Sequence, residues 1–379
     1  MNNMNNMNNV NKIHEEQSKK INYFTLSETS ILFFDIFYKN NKIFLIMPIY
    51  NDPPDKEKIF VNVDNTRLKL AHSYVKDVRE PIAIYVYNYV NNKEVNQYID
   101  SSNTDTSDIP NDVINVKVIF NDIVKVYNLK HIRTNNETKK FLTITTLFKD
   151  DYNLFPLFYN YYKNQGVSHF YMYYNGMLTK EIQDKFINYD DVTLIEWVFH
   201  YWNPPSCKYC HHAQLGQLHH AIHRYGKDMC EYMTFCDFDE YLHIPFEMVI
   251  NNTNNTLIKF IQNNPTIDIF GFCNIWAETL NKEYTITNKL PNKILTNNEI
   301  SQYSDRSKNI YKISSINTIG IHQICDQSLF LFNHITNLHM YHFYRFSFNR
   351  LLLNNDVEVK LDTEIILDKH LFPENNTDE

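Results

Sequence analysis

The chain has 379 residues, a formal net charge of −8 and no block of Lys or Arg, which argues against a nucleic-acid partner. A 43% hydrophobic content over this length allows two domains, each with its own core. Only six glycines occur, and neither a P-loop nor a G-x-G-x-x-G dinucleotide loop exists; the wealth of Asn, Ile, Tyr and Phe reads as base-composition bias rather than chemistry.

Met1 to Lys20 is polar and Asn-rich, unlike a secretory signal, and the apolar runs around Ile31–Phe37 and Ile43–Tyr50 are too short to span a bilayer. The expectation is a soluble, cytoplasmic protein with free thiols at its six Cys. Residues 1–22 read as a disordered Asn-rich leader. Residues 23–135 read as a small β-rich domain, with a hairpin from Ile31–Tyr38 to Ile43–Met47 and further strands at Ile59–Val63, Ile82–Tyr87, Val116–Phe120 and Ile123–Tyr127. Short strands with Asn, Asp and Pro between them suggest a sandwich, and Ile99–Asn111 a mobile loop.

Residues 139–355 read as α/β, with a loose tail over 356–379. Strands are expected at Phe141–Phe148, Val167–Tyr174, Val192–Trp197 and Tyr232–Cys236. Helices are expected from Leu154 to Tyr162, from Leu178 to Ile187 and from His211 to Tyr225. Further on, Thr256–Gln262 and Tyr344–Leu353 read as helices. Ile267–Trp276, Ile310–Ile313, Thr318–Ile321 and Leu329–Phe332 read as strands. This alternation predicts a doubly wound, mostly parallel sheet. Its fourth strand ends in Asp237-Phe-Asp-Glu240, three carboxylates in four residues, costly to bury without a cation. In an extended strand end Asp237 and Asp239 point one way and Phe238 points into the core. That arrangement suits a hard divalent ion with positions open for phosphate oxygens; the bland alternative is an acidic turn facing water.

The order strand, helix, strand, helix, strand, helix, strand, D-x-D resembles the Rossmann-like, nucleotide-binding half of GT-A-type glycosyltransferases. The likeness is closest to the family-92-like group and related family-2-like transferases. It is carried by Thr146 to Asn175, by His212-Ala-Gln214, by Phe235 to Leu242, and by the later segments Lys308–Ile324 and Leu338–Ser347. The Asn-rich start and composition are similar to those of giant-virus proteins, which implies host cytoplasm or virion. The resemblance implies a transferase using Mn²⁺ or Mg²⁺ to move a sugar from a UDP-sugar to a glycan or protein hydroxyl, with a homodimer admissible. It implies Asp239 on the metal, with Asp237 on metal or ribose, and a C-terminal His completing the shell, His322 ahead of His342. Thr146, Phe148, Lys149, Asp150 and Asn175 would border the base and ribose, and Gln214 would approach the donor from its helix. Lys308 or Lys312 would neutralise phosphate, and Glu278, then Asp326, would be the base of an inverting reaction. Trp276 suits either a sugar face or the core.

Two other classes stay open at this level. One is a catalytically silent GT-A-like binding or virion structural protein. The other is a metal-dependent nucleotidyl or phosphoryl transferase, against which the missing phosphate cradle argues. Cys207-Lys-Tyr-Cys210-His211 matches a haem-attachment pattern and half a zinc site, but reads best as a loop whose Cys are incidental. His219 and His223 share a helix face without the Glu of a zinc-protease helix, which favours packing histidines.

Overall fold

The computed structural model describes residues 21–76, 80–89, 113–132, 139–209, 212–244, 256–280, 290, 293–297, 306–322, 338–343, 346, 361 and 363–366. Most of the leader, the loop 99–111, Cys210, His211, Asp326, the expected elements at 329–332 and 344–353, and most of the tail lie outside them. Two compact units divide the chain: Lys20–Glu137 with Phe199–Arg224, and Thr138–Val198 with Tyr225–Glu379. No helix among the described residues is long and apolar enough to cross a membrane.

The N-terminal unit holds strands β1 (Phe24–Thr25), β2 (Ile31–Phe33), β3 (Asp35–Lys39), β4 (Lys42–Pro48), β5 (Ile59–Val63), β6 (Thr66–Arg67), β7 (Leu70–Lys76), β8 (Ile82–Asn88), β9 (Val113–Phe120) and β10 (Ile123–Ile132). β3 to β10 lie in one order, β6-β5-β9-β10-β3-β4-β8-β7. All neighbours are antiparallel except β10 and β3, which meet in parallel at His131–Ile132. Apolar residues of β3, β4 and β8 share one cluster with those of β5 and β9. With glycine scarce, the two-residue hairpin turns fall to Asn40–Asn41, Asp64–Asn65 and Asn121–Asp122, all at positive φ as the hairpin twist demands. Ile21 and Asn22, assigned to the leader by composition, are ordered: Ile21 is buried and the Asn22 N–H donates to Asp35 Oδ1 at 2.7 Å.

The helix Ala213–His220, continued as a π turn over Ala221–Gly226, is held to these strands by buried charge. Asp35 accepts from His220 Nε2 at 2.9 Å and from Arg224 Nη1. Lys39 Nζ donates to the carbonyls of His223 (2.7 Å) and Arg224 (3.0 Å). The histidines are therefore packing groups. Burial pushes His219 down to about 3, and its Nδ1 sits on the Leu215 carbonyl at 2.8 Å.

The second unit carries β11 (Lys140–Phe148), β12 (His169–Tyr174), β13 (Val192–Glu196), β14 (Cys230–Phe235), β15 (Glu240–His243), β16 (Ile269–Thr279), β17 (Lys293–Thr296), β18 (Lys308–Lys312), β19 (His339–His342) and β20 (Thr363–Ile366). The parallel block runs β13-β12-β11-β14, so chain order reverses between β11 and β14. Open α/β sheets bind ligands at such a switch point, at the carboxyl ends of the two strands. Beyond β14 the sheet turns antiparallel through β18, β16, β17 and β20, while β19 joins β16 in parallel and β15 antiparallel. The sheet is thus mixed rather than mostly parallel, because the later strands return as neighbours of β14 instead of crossing over through helices. Thr318–Ile321 forms no ladder; its buried Ile319 and Ile321 produce the strand-like pattern.

Helix Phe155–Asn164 starts with Pro156 in its first turn and stops at Gly166, whose φ of 95° suits glycine. Its aromatic side feeds a cluster containing Phe148, Phe155, Phe158, Phe170, Phe186 and Phe238.

Gly216 is the one glycine at a close approach within the N-terminal unit: a Cβ there would lie 2.6 Å from the buried Phe34 ring. Relief of helix propensity alone would make Gly216→Ala stabilising by roughly 1 kcal/mol. The overlap reverses the sign, so urea unfolding of this variant should show a loss of about 1–3 kcal/mol.

Candidate active site

β14 stops at Phe235, and the acidic run is a turn rather than a strand end. The Glu240 N–H donates to the Asp237 carbonyl at 3.1 Å, and the Asp237 N–H donates to Glu240 Oε2 at 2.7 Å. Asp237 and Asp239 therefore do not share one direction. Asp237 points to Lys308 and stays partly exposed, whereas Asp239 is buried towards His342. Phe238 is in the core, 4% exposed, with ring centroids 5.1 Å from both Phe148 and Phe158. Tyrosine hydroxyls fix the backbone on either side. Tyr162 donates to the Glu240 carbonyl (2.8 Å), Tyr161 to the Leu242 carbonyl (2.6 Å) and Tyr241 to the Phe238 carbonyl (3.0 Å).

Two strands bring the counter-groups. β18 runs antiparallel to β14, which sets Lys308 at the acidic end. Its Nζ lies 3.0 Å from Glu240 and 3.3 Å from Asp237, with the side chain 3% exposed. Burial alone would depress this ammonium; Asp237 and Glu240 outweigh it and hold Lys308 above its ordinary value. Burial raises Glu240 above the usual carboxylate range, with Lys308 opposing and Asp237 adding to the rise. β19 pairs Glu240 with His342 and also pairs His342 with Trp276 of β16.

His342 Nε2 lies 3.4 Å from Asp239 Oδ2, and its Nδ1 lies 2.9 Å from Asn274 Oδ1. An amide oxygen only accepts, so Nδ1 carries the proton. Nε2 then turns towards the Asp239 carboxylate, an arrangement satisfied by a proton on Nε2 or by a cation shared between the two. Ligand atoms of Asp239, Glu240 and His342 all fall within 4.8 Å of one another. Carboxylate oxygens with one imidazole nitrogen are a donor set that fits Mn²⁺ or Mg²⁺.

The other residues singled out by sequence divide into near and distant. Thr146 lies two residues before the end of β11, with its hydroxyl buried and without a hydrogen-bond partner among the described residues. Phe148 is a core aromatic, packed on Tyr174 and Phe186 as well as Phe238, rather than an open stacking face. Lys149 and Asp150 are exposed. Asn175 ties strand ends together: its N–H donates to the Phe148 carbonyl (2.7 Å) and its Nδ2 to the Trp197 carbonyl (2.9 Å). Lys312 is displaced from the acids, because β18 sets it opposite Tyr232 at the start of β14, where it pairs with Asp268 at 3.6 Å.

His322 is not in the converging set. Its Nδ1 faces the Ser307 carbonyl at 3.2 Å, and burial, then Lys308, push it down to about 3. Glu278 is buried on β16 and falls on the same strand face as Asn274 and Trp276 by alternation. Gln214 belongs to the N-terminal unit, where its Oε1 accepts from the Tyr201 hydroxyl at 3.1 Å. Cys207, Cys230, Cys236 and Cys273 are free thiols.

Sequence reasoning counted Glu240 among the acids without giving it a role, and it missed Asn274. Neither has a local signal. Glu240 is on β15 and Asn274 on β16, and both meet His342 only because those strands pair with the four-residue β19.

The Glycosyltransferase family 92 profile matches residues 142–353, which is more than half of the chain and includes every element of this site. The chain belongs to that family and is a glycosyltransferase. A search of curated proteins found no match.

Replacing Lys308 by Met, of similar length, leaves Glu240 and Asp237 without their ammonium. Unfolding stability should fall by about 3 kcal/mol or more at neutral pH. Glu240 then binds its proton more tightly in the folded than in the unfolded state, so the variant should lose stability as pH rises from acid to neutral, more steeply than the parent. Urea midpoints across that range measure both effects.

Proposed function

We propose that this glycosyltransferase has a GT-A fold and moves a sugar from a UDP-sugar to a hydroxyl of a glycan or protein acceptor, assisted by Mn²⁺ or Mg²⁺. The observation that carries the reading is the convergence of Asp239, Glu240 and His342 beyond the carboxyl end of β14, at the switch point between β11 and β14. Asp239 and His342 Nε2 would hold the ion, and Glu240, shared with Lys308, would border it. When bound, such an ion supplies positive charge against the diphosphate leaving group.

The chain's own groups have separable tasks in this reading. Asn274 orients the His342 ring by accepting from Nδ1. Lys308 bridges Asp237 and Glu240 and fixes both in place. The buried Thr146 hydroxyl costs about 1–3 kcal/mol if left unmatched, which supports a ligand group beside the end of β11. In an inverting transfer a carboxylate takes the proton of the acceptor hydroxyl, and Glu278 is the described carboxylate on the β16 face that also carries Trp276.

Asp239→Asn keeps the shape of the turn and removes one charge. UDP with Mn²⁺ should raise the melting temperature of the parent and leave that of the variant unchanged. Product formation from a panel of UDP-sugars should drop at least about 100-fold. Full Mn²⁺-dependent turnover by the variant would remove Asp239 from the metal site.

A further inference from the structure

We propose that Arg306 is the group that recognises the diphosphate of the donor, a role that rests on the nucleotide-sugar reading above and adds a residue to it. Arg306 stands out first by its backbone. Among the described residues, every other non-glycine position at positive φ is an Asn or Asp in a hairpin turn, whereas Arg306 has φ 55° with a long side chain. Such a conformation costs on the order of 1 kcal/mol or more and persists only where the surroundings impose it. Here it falls immediately before the fully buried Ser307 and the start of β18, beside the acidic turn.

The side chain is aimed by a stack of rings. The Arg306 guanidinium carbon lies 5.2 Å from the Trp276 ring centroid. Trp276 stacks on His342, with centroids 4.6 Å apart and planes 28° apart, and His342 Nε2 reaches Asp239. An arginine lying over an aromatic face keeps its N–H edge available for a two-pronged contact with phosphate.

The charges near the turn make this cation the available one. Lys308 is already engaged by Glu240 and Asp237 and is nearly sealed from water. His322 is held neutral by burial and by Lys308. Arg306 is exposed, and among the described residues no carboxylate forms an ion pair with it. When the sugar leaves, the diphosphate gains a third negative charge, one more than a single divalent ion balances, and Arg306 is a described cation placed to meet the surplus.

Titration calorimetry with Mn²⁺, comparing UDP and UMP on the parent, Arg306→Ala and Arg306→Lys, tests the assignment. The parent should bind UDP more tightly than UMP. Arg306→Ala should lose about tenfold or more in UDP affinity and little in UMP affinity, because a charge-assisted contact to the second phosphate is gone. Arg306→Lys should recover only part of the loss, since it restores the charge without the fork. An unchanged UDP-to-UMP ratio in Arg306→Ala would overturn the role of Arg306 while leaving the donor reading intact. A parent that binds UDP no better than UMP would overturn the donor reading, and this assignment with it.

Discussion

The site depends on the burial of Phe238. One aromatic ring between two aspartates is keyed into Phe148, Phe155 and Phe158. Full burial of such a side chain is worth about 1.5–3 kcal/mol. That gain sets the orientation of a turn whose other three residues are acids. The hydroxyls of Tyr161, Tyr162 and Tyr241 then hold the turn's carbonyls and the start of β15. The aromatic helix Phe155–Asn164 thus fixes where the charge of the turn lies without contributing a charged group to it.

Holding three carboxylates together needs compensation, and the fold brings it from strands remote in sequence. Lys308 arrives on β18 and shares its one positive charge between Asp237 and Glu240. His342 arrives on β19 and faces Asp239. The compensation is deliberately uneven in its chemistry. A lysine fills one half of the turn permanently, while the other half offers a carboxylate and an imidazole nitrogen oriented by Asn274. Removing Lys308 is therefore expected to act on folding, and removing Asp239, in the proposed reading, on cation binding.

Much of this was legible in the order of residues and some was not. The apolar, β-branched run Phe141–Phe148, the aromatic helix and the strand that precedes the acids all carry strong local patterns, and each forms close to where it is expected. Phe238 pointing inward follows from its being the one apolar residue of the four. What failed was the geometry of the acids, because a turn closed by Glu240 replaced an extended end. Lys308 and Lys312 look alike in sequence; only the antiparallel register of β18 against β14 separates them, the second pairing with Asp268. That His342 rather than His322 lies against the acids likewise follows from β19, a four-residue strand with no periodicity to detect. The His-rich helix after Cys207 reads locally like a metal helix, and its tie to Asp35 is invisible without the N-terminal strands.

The most direct test of the account is the position of manganese in a crystal soaked with Mn²⁺ and UDP, read from anomalous scattering. The account predicts one strong peak bonded to Asp239 and to His342 Nε2 at about 2.0–2.3 Å. A peak elsewhere, or none with UDP bound, would contradict it.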